Sequence, residues 1–221
     1  MNNTYTKAKL IGYTQPAKDV DIDLTDVKEL VAYCARVSNP SNQHNTATTD
    51  KLLNYLMKHK HWSPFEMASA TIEIETTRDI ARQLLRHRSF SFQEFSQRYA
   101  DPTTDLAFVI REARLQDTRN RQNSLQTDDE DLKLWWNQRQ AQLIKDVRWL
   151  YSEAVRKGIA KEQARCILPE GNTMSKLYVN GTIRSYIHYL EVRLEEGTQL
   201  EHRELAQEVA KAINQVFNLG S

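Results

Sequence analysis

The chain has 221 residues, 40% hydrophobic and 27% charged, a balance that suits one folded domain and argues against wholesale disorder. Its 30 Lys and Arg against 29 Asp and Glu leave a formal charge of +1, less basic than a chain that binds nucleic acid over its whole surface. Two cysteines, Cys34 and Cys166, with no CxxC pair, give poor support to a zinc site or redox dithiol; free thiols in a reducing cytoplasm are expected. Residues 1–6 lack the apolar core of a leader, and no apolar run approaches the roughly 20 residues that span a bilayer, so a soluble intracellular chain is expected.

Residues 7–14 read as a short strand. A helix is expected from Thr25, with Leu24, Val27, Leu30, Val31 and Cys34 on one face. The polar stretch 38–49 reads as a loop. Asp50 is the expected cap of a second helix, with an apolar stripe of Leu52, Leu53, Leu56 and Met57 that ends near His59-Lys60-His61. Residues 68–76 alternate and are rich in β-branched side chains, the clearest strand signal in the chain. Thr77 is placed to cap a helix from Arg78 to about Arg86, with Ile80, Leu84 and Leu85 inward, and 87–99 reads as a loop. A strand is expected at Leu106–Ile110 and a polar loop at 116–131. The longest helix should run from about Asp129 to Lys157 and stop at Gly158, burying Leu132, Trp135, Trp136, Leu143, Val147, Leu150, Tyr151 and Ala154. A short helix over 160–167, a strand over 174–180 and helices over 182–196 and 199–217 complete an α/β or α+β single domain spanning 1–221.

Segment 78–98 holds five arginines against one Asp and one Glu, a local charge of +3, and leaves −2 for the rest of the chain. Most of these arginines lack the i,i+4 carboxylates of a solvated basic helix. The guanidinium fork matches phosphate, so the cluster points to small anionic ligands in a pocket. The competing reading from the same residues is a nucleic-acid-binding module. His59 and His61 resemble a metal pair, but a third ligand with suitable spacing is not evident, so no metal site is expected. His44 and His202 read as surface residues, Cys34 as core and Cys166 as a packing residue. Trp135, Trp136 and Trp149 read as core or interface.

Arg86-His87-Arg88-x-x-Ser91-x4-Ser96-x-Arg98 resembles the signature of the flavin-dependent thymidylate synthases. Further segments resemble that family in order: Ala35-Arg36-Val37-Ser38, His61-Trp62-Ser63-Pro64-Phe65-Glu66, Ala81-Arg82-Gln83 and Ala164-Arg165-x-x-Leu168-Pro169. The resemblance implies an α/β domain with a small mixed or antiparallel sheet flanked by long helices, assembled as a homotetramer with sites between subunits. It implies conversion of dUMP to dTMP with methylenetetrahydrofolate as one-carbon donor, FAD as hydride carrier and NADPH as reductant, with no nucleic-acid or membrane partner.

By the same resemblance, FAD contacts fall on Ser38, Ser63, Glu66, Arg86, His87, Arg88, Gln93, Arg184 and His188. Nucleotide contacts fall on Gln83, Arg86, Glu94, Ser96, Gln97, Arg98, Arg165 and Arg193. Arg98 is the position that favours negative charge on the uracil, and His61 lies near the flavin, where it positions folate or gates access. Ser96 reads as a hydrogen-bonding group, since no activating base adjoins it for the alternative role of nucleophile. Neither cysteine has the Pro-Cys-His context of the thymidylate synthases that use no flavin. Thr182 and Gly197 stand where the family usually has Asn and His; Asn180 is a possible substitute for the first. Arg184 and His188 share a helix face, whereas Arg193 lies about half a turn away, a layout that suits sites completed by another subunit. The bland alternative for Arg193 is pairing with Glu195 or Glu196.

Overall fold

The computed structural model describes residues 5–18 and 23–218. Residues 1–4, part of the segment read above for a leader, lie outside the described residues.

Strand β1 (Lys7–Tyr13) is followed by α1 (Val27–Ala35). The cap of α1 is Asp26, whose carboxylate accepts from Glu29 N, so the helix starts after the expected Thr25; Thr25 instead donates to the Glu29 carboxylate from its amide and hydroxyl. The 38–49 loop contains a 3₁₀ turn at Pro40–Asn42. Helix α2 (Thr49–Lys58) begins one residue before the expected Asp50 cap, which sits in its first turn and pairs with Lys28. Lys60 takes a left-handed backbone (φ 57°), and a 3₁₀ turn at Ser63–Glu66 leads into β2 (Ser69–Thr77). Helix α3 (Arg78–Leu84) follows without a break.

The stretch expected as loop after α3 contains β3 (Ser91–Glu94). Its polar face, with Ser91 and Gln93 exposed, hides the period-2 signal. The expected strand at 106–110 is reduced to one bridge, Phe108 to Thr173. A small hairpin, β4 (Arg114–Gln116) and β5 (Ser124–Gln126), begins just before the expected polar loop and reaches into it. Helix α4 (Glu130–Arg156) is capped by Asp129 and ends at Lys157, with Gly158 at φ +87°. Helix α5 (Lys161–Ala164) and a 3₁₀ turn (Arg165–Ile167) lead to β6 (Met174–Thr182), then α6 (Ile183–Arg193) and α7 (Leu200–Asn214).

The main sheet is antiparallel throughout, in the order β1-β2-β6-β3. Its axis is the β2–β6 ladder, nine pairs in unbroken register from Ser69–Thr182 to Thr77–Met174. Ala70, Ile72 and Ile74 of β2 and Leu177 and Val179 of β6 are buried in one core with α1, α2, α3, α6 and α7. The alternate residues form the other face, where Lys176 pairs with Glu73 at 2.9 Å.

Helix α4 departs from expectation. Only Gln140, Val147, Tyr151 and Ala154 are buried on it. Trp135, Leu143 and Leu150 are about half exposed and Trp136 is 38% exposed, although all four carry the apolar period. Helical spacing reveals which face is apolar but not what covers it. Among the described residues, no helix is long and apolar enough to cross a membrane.

Candidate active site

The expected site residues lie on segments attached to the ends of β2 and β6. At the Ser69–Thr182 end, Glu66 from the turn before β2 accepts a hydrogen bond from Arg184 Nη1 in the first turn of α6. One helical turn on, His188 meets the edge of Trp62 at 5.0 Å between ring centroids. Ser63 is exposed on the same turn. Thr182 accepts from Ser185 N and so caps α6; the amide of Asn180 is already committed to Ala70 O and Thr71 Oγ1, which argues against it as the substitute for the family's Asn. His61 is exposed, its ring edge-on to Tyr55 at 6.2 Å between centroids.

At the other end, Gln83 in α3, His87, Arg193 at the end of α6 and His202 in α7 come together. Arg193 Nε donates to His87 Nε2 at 2.9 Å, which replaces the alternative pairing with Glu195 or Glu196. Burial, followed by the Arg193 charge, pushes the His87 pKa below the ordinary histidine value. His202 corrects an expectation: it is fully buried, not a surface residue, and its Nδ1 meets Gln83 Oε1 at 3.0 Å. Sequence reading missed it because charged neighbours surround it in the chain, while the residues that bury it, such as Tyr189, are distant in sequence.

The arginines of segment 78–98 divide into two groups. Arg78 pairs with Glu94 at 3.3 Å, Arg82 with Glu170 and Arg98 with Glu162 at 3.6 Å. Glu94 comes from within the segment, whereas Glu170 and Glu162 are contributed from elsewhere in the chain. Arg86 and Arg88 are exposed and carry no ion pair among the described residues. Glu94 also accepts from Ser175 Oγ at 2.8 Å, which holds it at the end of β3. Gln93, Ser96 and Arg98 are exposed, whereas Gln97 is 4% exposed and its amide nitrogen lacks a partner. Arg165 is half-buried beside α5, the helix that supplies Glu162 to Arg98. Ser38 is exposed on the turn after α1. The same turn contains Arg36, 7% exposed, whose guanidinium donates to Thr48 Oγ1 and ties the turn to the start of α2.

The chain matches the family described as "Thymidylate synthase complementing protein" over residues 22–217. It belongs to this family. A flavin-dependent thymidylate synthase of Synechocystis sp. is 50% identical over 209 residues, 95% of this chain and 94% of that one. Another from Kosmotoga olearia is 33% identical over 177 residues, 80% and 76% of the two chains. Among solved structures, a UMP/dUMP methylase from Streptomyces cacaoi bound with 5-Br dUMP superposes with a TM-score of 0.77 at 25% identity, covering 96% of this chain and 90% of that one. The likeness spans the elements that hold the signature, so segment 86–98 sits in a family fold.

The residues present suit a flavin dinucleotide. Its pyrophosphate needs cationic donors, and Arg86 and Arg88 are exposed guanidiniums with no ion-pair carboxylate among the described residues. Its ring system needs a flat apolar boundary with polar edges, which Trp62 and His188 offer beside Glu66 and Arg184.

Proposed function

We infer that this chain is a flavin-dependent thymidylate synthase, methylating dUMP to dTMP with methylenetetrahydrofolate and using NADPH as reductant. FAD, when bound, supplies the hydride. The observation that carries the assignment of residues is the division among the signature arginines, since Arg86 and Arg88 carry no ion pair among the described residues and adjoin the clustered Gln83, His87 and Arg193.

Ser38, Ser63, Glu66, Arg86, His87, Arg88, Gln93, Arg184 and His188 hold the flavin. Gln83, Arg86, Glu94, Ser96, Gln97, Arg98, Arg165 and Arg193 hold the nucleotide. Arg98 rests on Glu162 through an exposed pair, worth at most about 1 kcal/mol, which a dianionic phosphate or an electron-rich uracil can displace. Its guanidinium then favours negative charge on the pyrimidine and raises the nucleophilicity of C5. Ser96 hydrogen-bonds the nucleotide, and the buried amide nitrogen of Gln97 is a donor available to it. His61, exposed beside Tyr55, positions folate or gates its entry.

The cysteines support chemistry without an enzyme thiolate. Burial raises the Cys34 pKa and disfavours the thiolate. Cys166 is exposed, not packed as expected.

The exposed apolar residues of α4 support assembly into a homotetramer whose subunits, each one domain spanning 1–221, complete one another's sites. A cytoplasmic location suits the metabolites this reading calls for. Neither a nucleic-acid nor a membrane partner belongs to this reading. The nucleic-acid alternative loses support because three of the five signature-segment arginines are neutralised within the chain.

The deciding experiment is anaerobic turnover of the FAD-loaded protein with dUMP, methylenetetrahydrofolate and NADPH, assayed for dTMP. Bound flavin without product would reduce the chain to a non-catalytic flavoprotein. A colourless protein that binds DNA with steep salt dependence would restore the nucleic-acid reading.

A further inference from the structure

A polar relay links half-buried Gln83 and Gln199 to the buried Glu201 and His202. Glu201 is 4% exposed. One of its carboxylate oxygens accepts from Arg114 Nη2 at 2.5 Å and the other from Gln199 Nε2 at 3.0 Å. Gln199 Oε1 accepts from Gln83 Nε2 at 2.7 Å, and Gln83 Oε1 meets His202 Nδ1 at 3.0 Å.

The polarity of this chain follows from its first member. An ionised carboxylate can only accept, so the edge of Gln199 facing Glu201 must be its NH2 group. The carbonyl of Gln199 then faces Gln83, which must answer with its own NH2. The carbonyl of Gln83 is left to His202, whose Nδ1 must carry the proton. One ion pair thus assigns two amide orientations and one tautomer, assignments that coordinates alone do not give. Turning either amide over would set donor against donor in a half-buried site, at a cost of up to about 1–3 kcal/mol per unmade bond.

We propose that His202 is a positioning residue for the nucleotide site, its Nδ1–H locking the Gln83 amide at the end of a relay that starts at the Arg114–Glu201 pair. Gln83 therefore meets the nucleotide pre-oriented, with the free hydrogen of its NH2 group as its fixed donor. The role is separate from that of the signature, since His202, Gln199, Glu201 and Arg114 all lie outside it. Two observations reinforce it. Burial and then the Arg193 charge push the His202 pKa down to about 3, so the imidazole stays neutral and the tautomer holds. Glu201 remains ionised: burial acts to raise its pKa, but its own backbone amide and then Arg114 and Arg111 outweigh this and lower it.

The proposal rests on Gln83 being a nucleotide contact. The test measures dUMP dissociation constants on FAD-loaded protein for the wild type, Gln83→Ala, His202→Phe, His202→Asn and the Gln83→Ala/His202→Phe double variant. Gln83→Ala should weaken dUMP binding about tenfold, the worth of one good buried hydrogen bond. His202→Phe should weaken it by a similar factor with FAD affinity unchanged. His202→Asn, which restores an N–H near the Nδ1 position, should return to within about twofold of wild type. The double variant should bind no worse than Gln83→Ala alone.

Wild-type affinity in His202→Phe beside a weakened Gln83→Ala would overturn the relay but leave the site reading intact. So would losses that simply add in the double variant, or failure of Asn to rescue. Unchanged affinity in Gln83→Ala would overturn the assignment of Gln83, and the proposal with it. If His202→Phe does not fold, Gln199→Met breaks the relay from its other side and should give the same loss; wild-type dUMP affinity there would overturn the proposal.

Discussion

Arg193 donates its Nε–H to His87 Nε2, so the histidine of the signature is held as the neutral, Nδ1-protonated tautomer. A protonated Nε2 would set two donors against each other. The histidine of the arginine cluster therefore adds a dipole there, not a further positive charge.

Removing that partner should be visible at the ring itself. In Arg193→Ala the pKa of His87 should rise toward the ordinary value of about 6.5, because the second cause of its depression is gone. Imidazole NMR across the titration measures this. An unmoved pKa would mean that burial alone sets it.

Glu66 and Arg184 offer a separation of stability from binding. Their ion pair is substantially exposed and should contribute less than about 1 kcal/mol to folding. Arg184→Ala should therefore leave thermal stability almost unchanged while lowering FAD affinity about tenfold or more, the loss of one charge-assisted contact. Flavin fluorescence titration beside thermal melts separates the two. A large drop in melting temperature with unchanged flavin binding would contradict the assignment.

His202 predicts a pH dependence of stability. Its pKa falls from about 6.5 in the unfolded chain to about 3 in the folded one. Between those values the unfolded state binds more protons, so folding stability is lost as pH drops below about 6.5, by up to about 1.4 kcal/mol per pH unit. Thermal melts from pH 7.5 to 5.0 should show a steeper loss for wild type than for His202→Asn. Parallel curves would count against it.

Gly181 faces Phe90 so closely that an added Cβ would sit 2.3 Å from the ring. Phe90, inside the signature segment, is buried, so it cannot swing freely away. Gly181→Ala should cost about 1–3 kcal/mol and loosen the segment from His87 to Glu94. Denaturant melts with amide exchange over that segment test the point. A neutral substitution would show that the segment yields without cost.

The pairing of the arginines also sets the salt dependence of stray polyanion binding. If all five engaged phosphates, the logarithmic salt slope would approach about −4.5, whereas two free guanidiniums give about −2. A DNA titration across salt concentrations distinguishes these.

Much of this was legible in the sequence, for reasons that differ by element. Strand β2 announces itself because one face packs on helices and the other faces outward, so its side chains alternate. Asp129 and Gly158 punctuate α4 because a cap and a left-handed residue are local requirements. The signature is legible because its residues are close together in the chain. Strand β3 was hidden because it is a four-residue edge strand with a polar face, defined only by its partner β6. His202 and the carboxylates of Glu162 and Glu170 were hidden for a related reason: their partners lie far away in sequence, and no periodicity records such pairs. Trp135 and Leu143 show the limit from the other side, since an apolar face looks alike whether its own chain or another covers it.

The β2–β6 ladder acts as a vernier. The turn bearing Ser63 and Glu66 enters β2, α3 leaves it, the Arg165 turn precedes β6, and α6 leaves it. Sliding one strand past the other by two residues would keep every side chain on its proper face, yet displace α6 by about 7 Å against Glu66. Single contacts at the site can be exchanged one at a time. An insertion or deletion in either of these two strands would shift all of them together, and so the chain should tolerate changes in length there least of all.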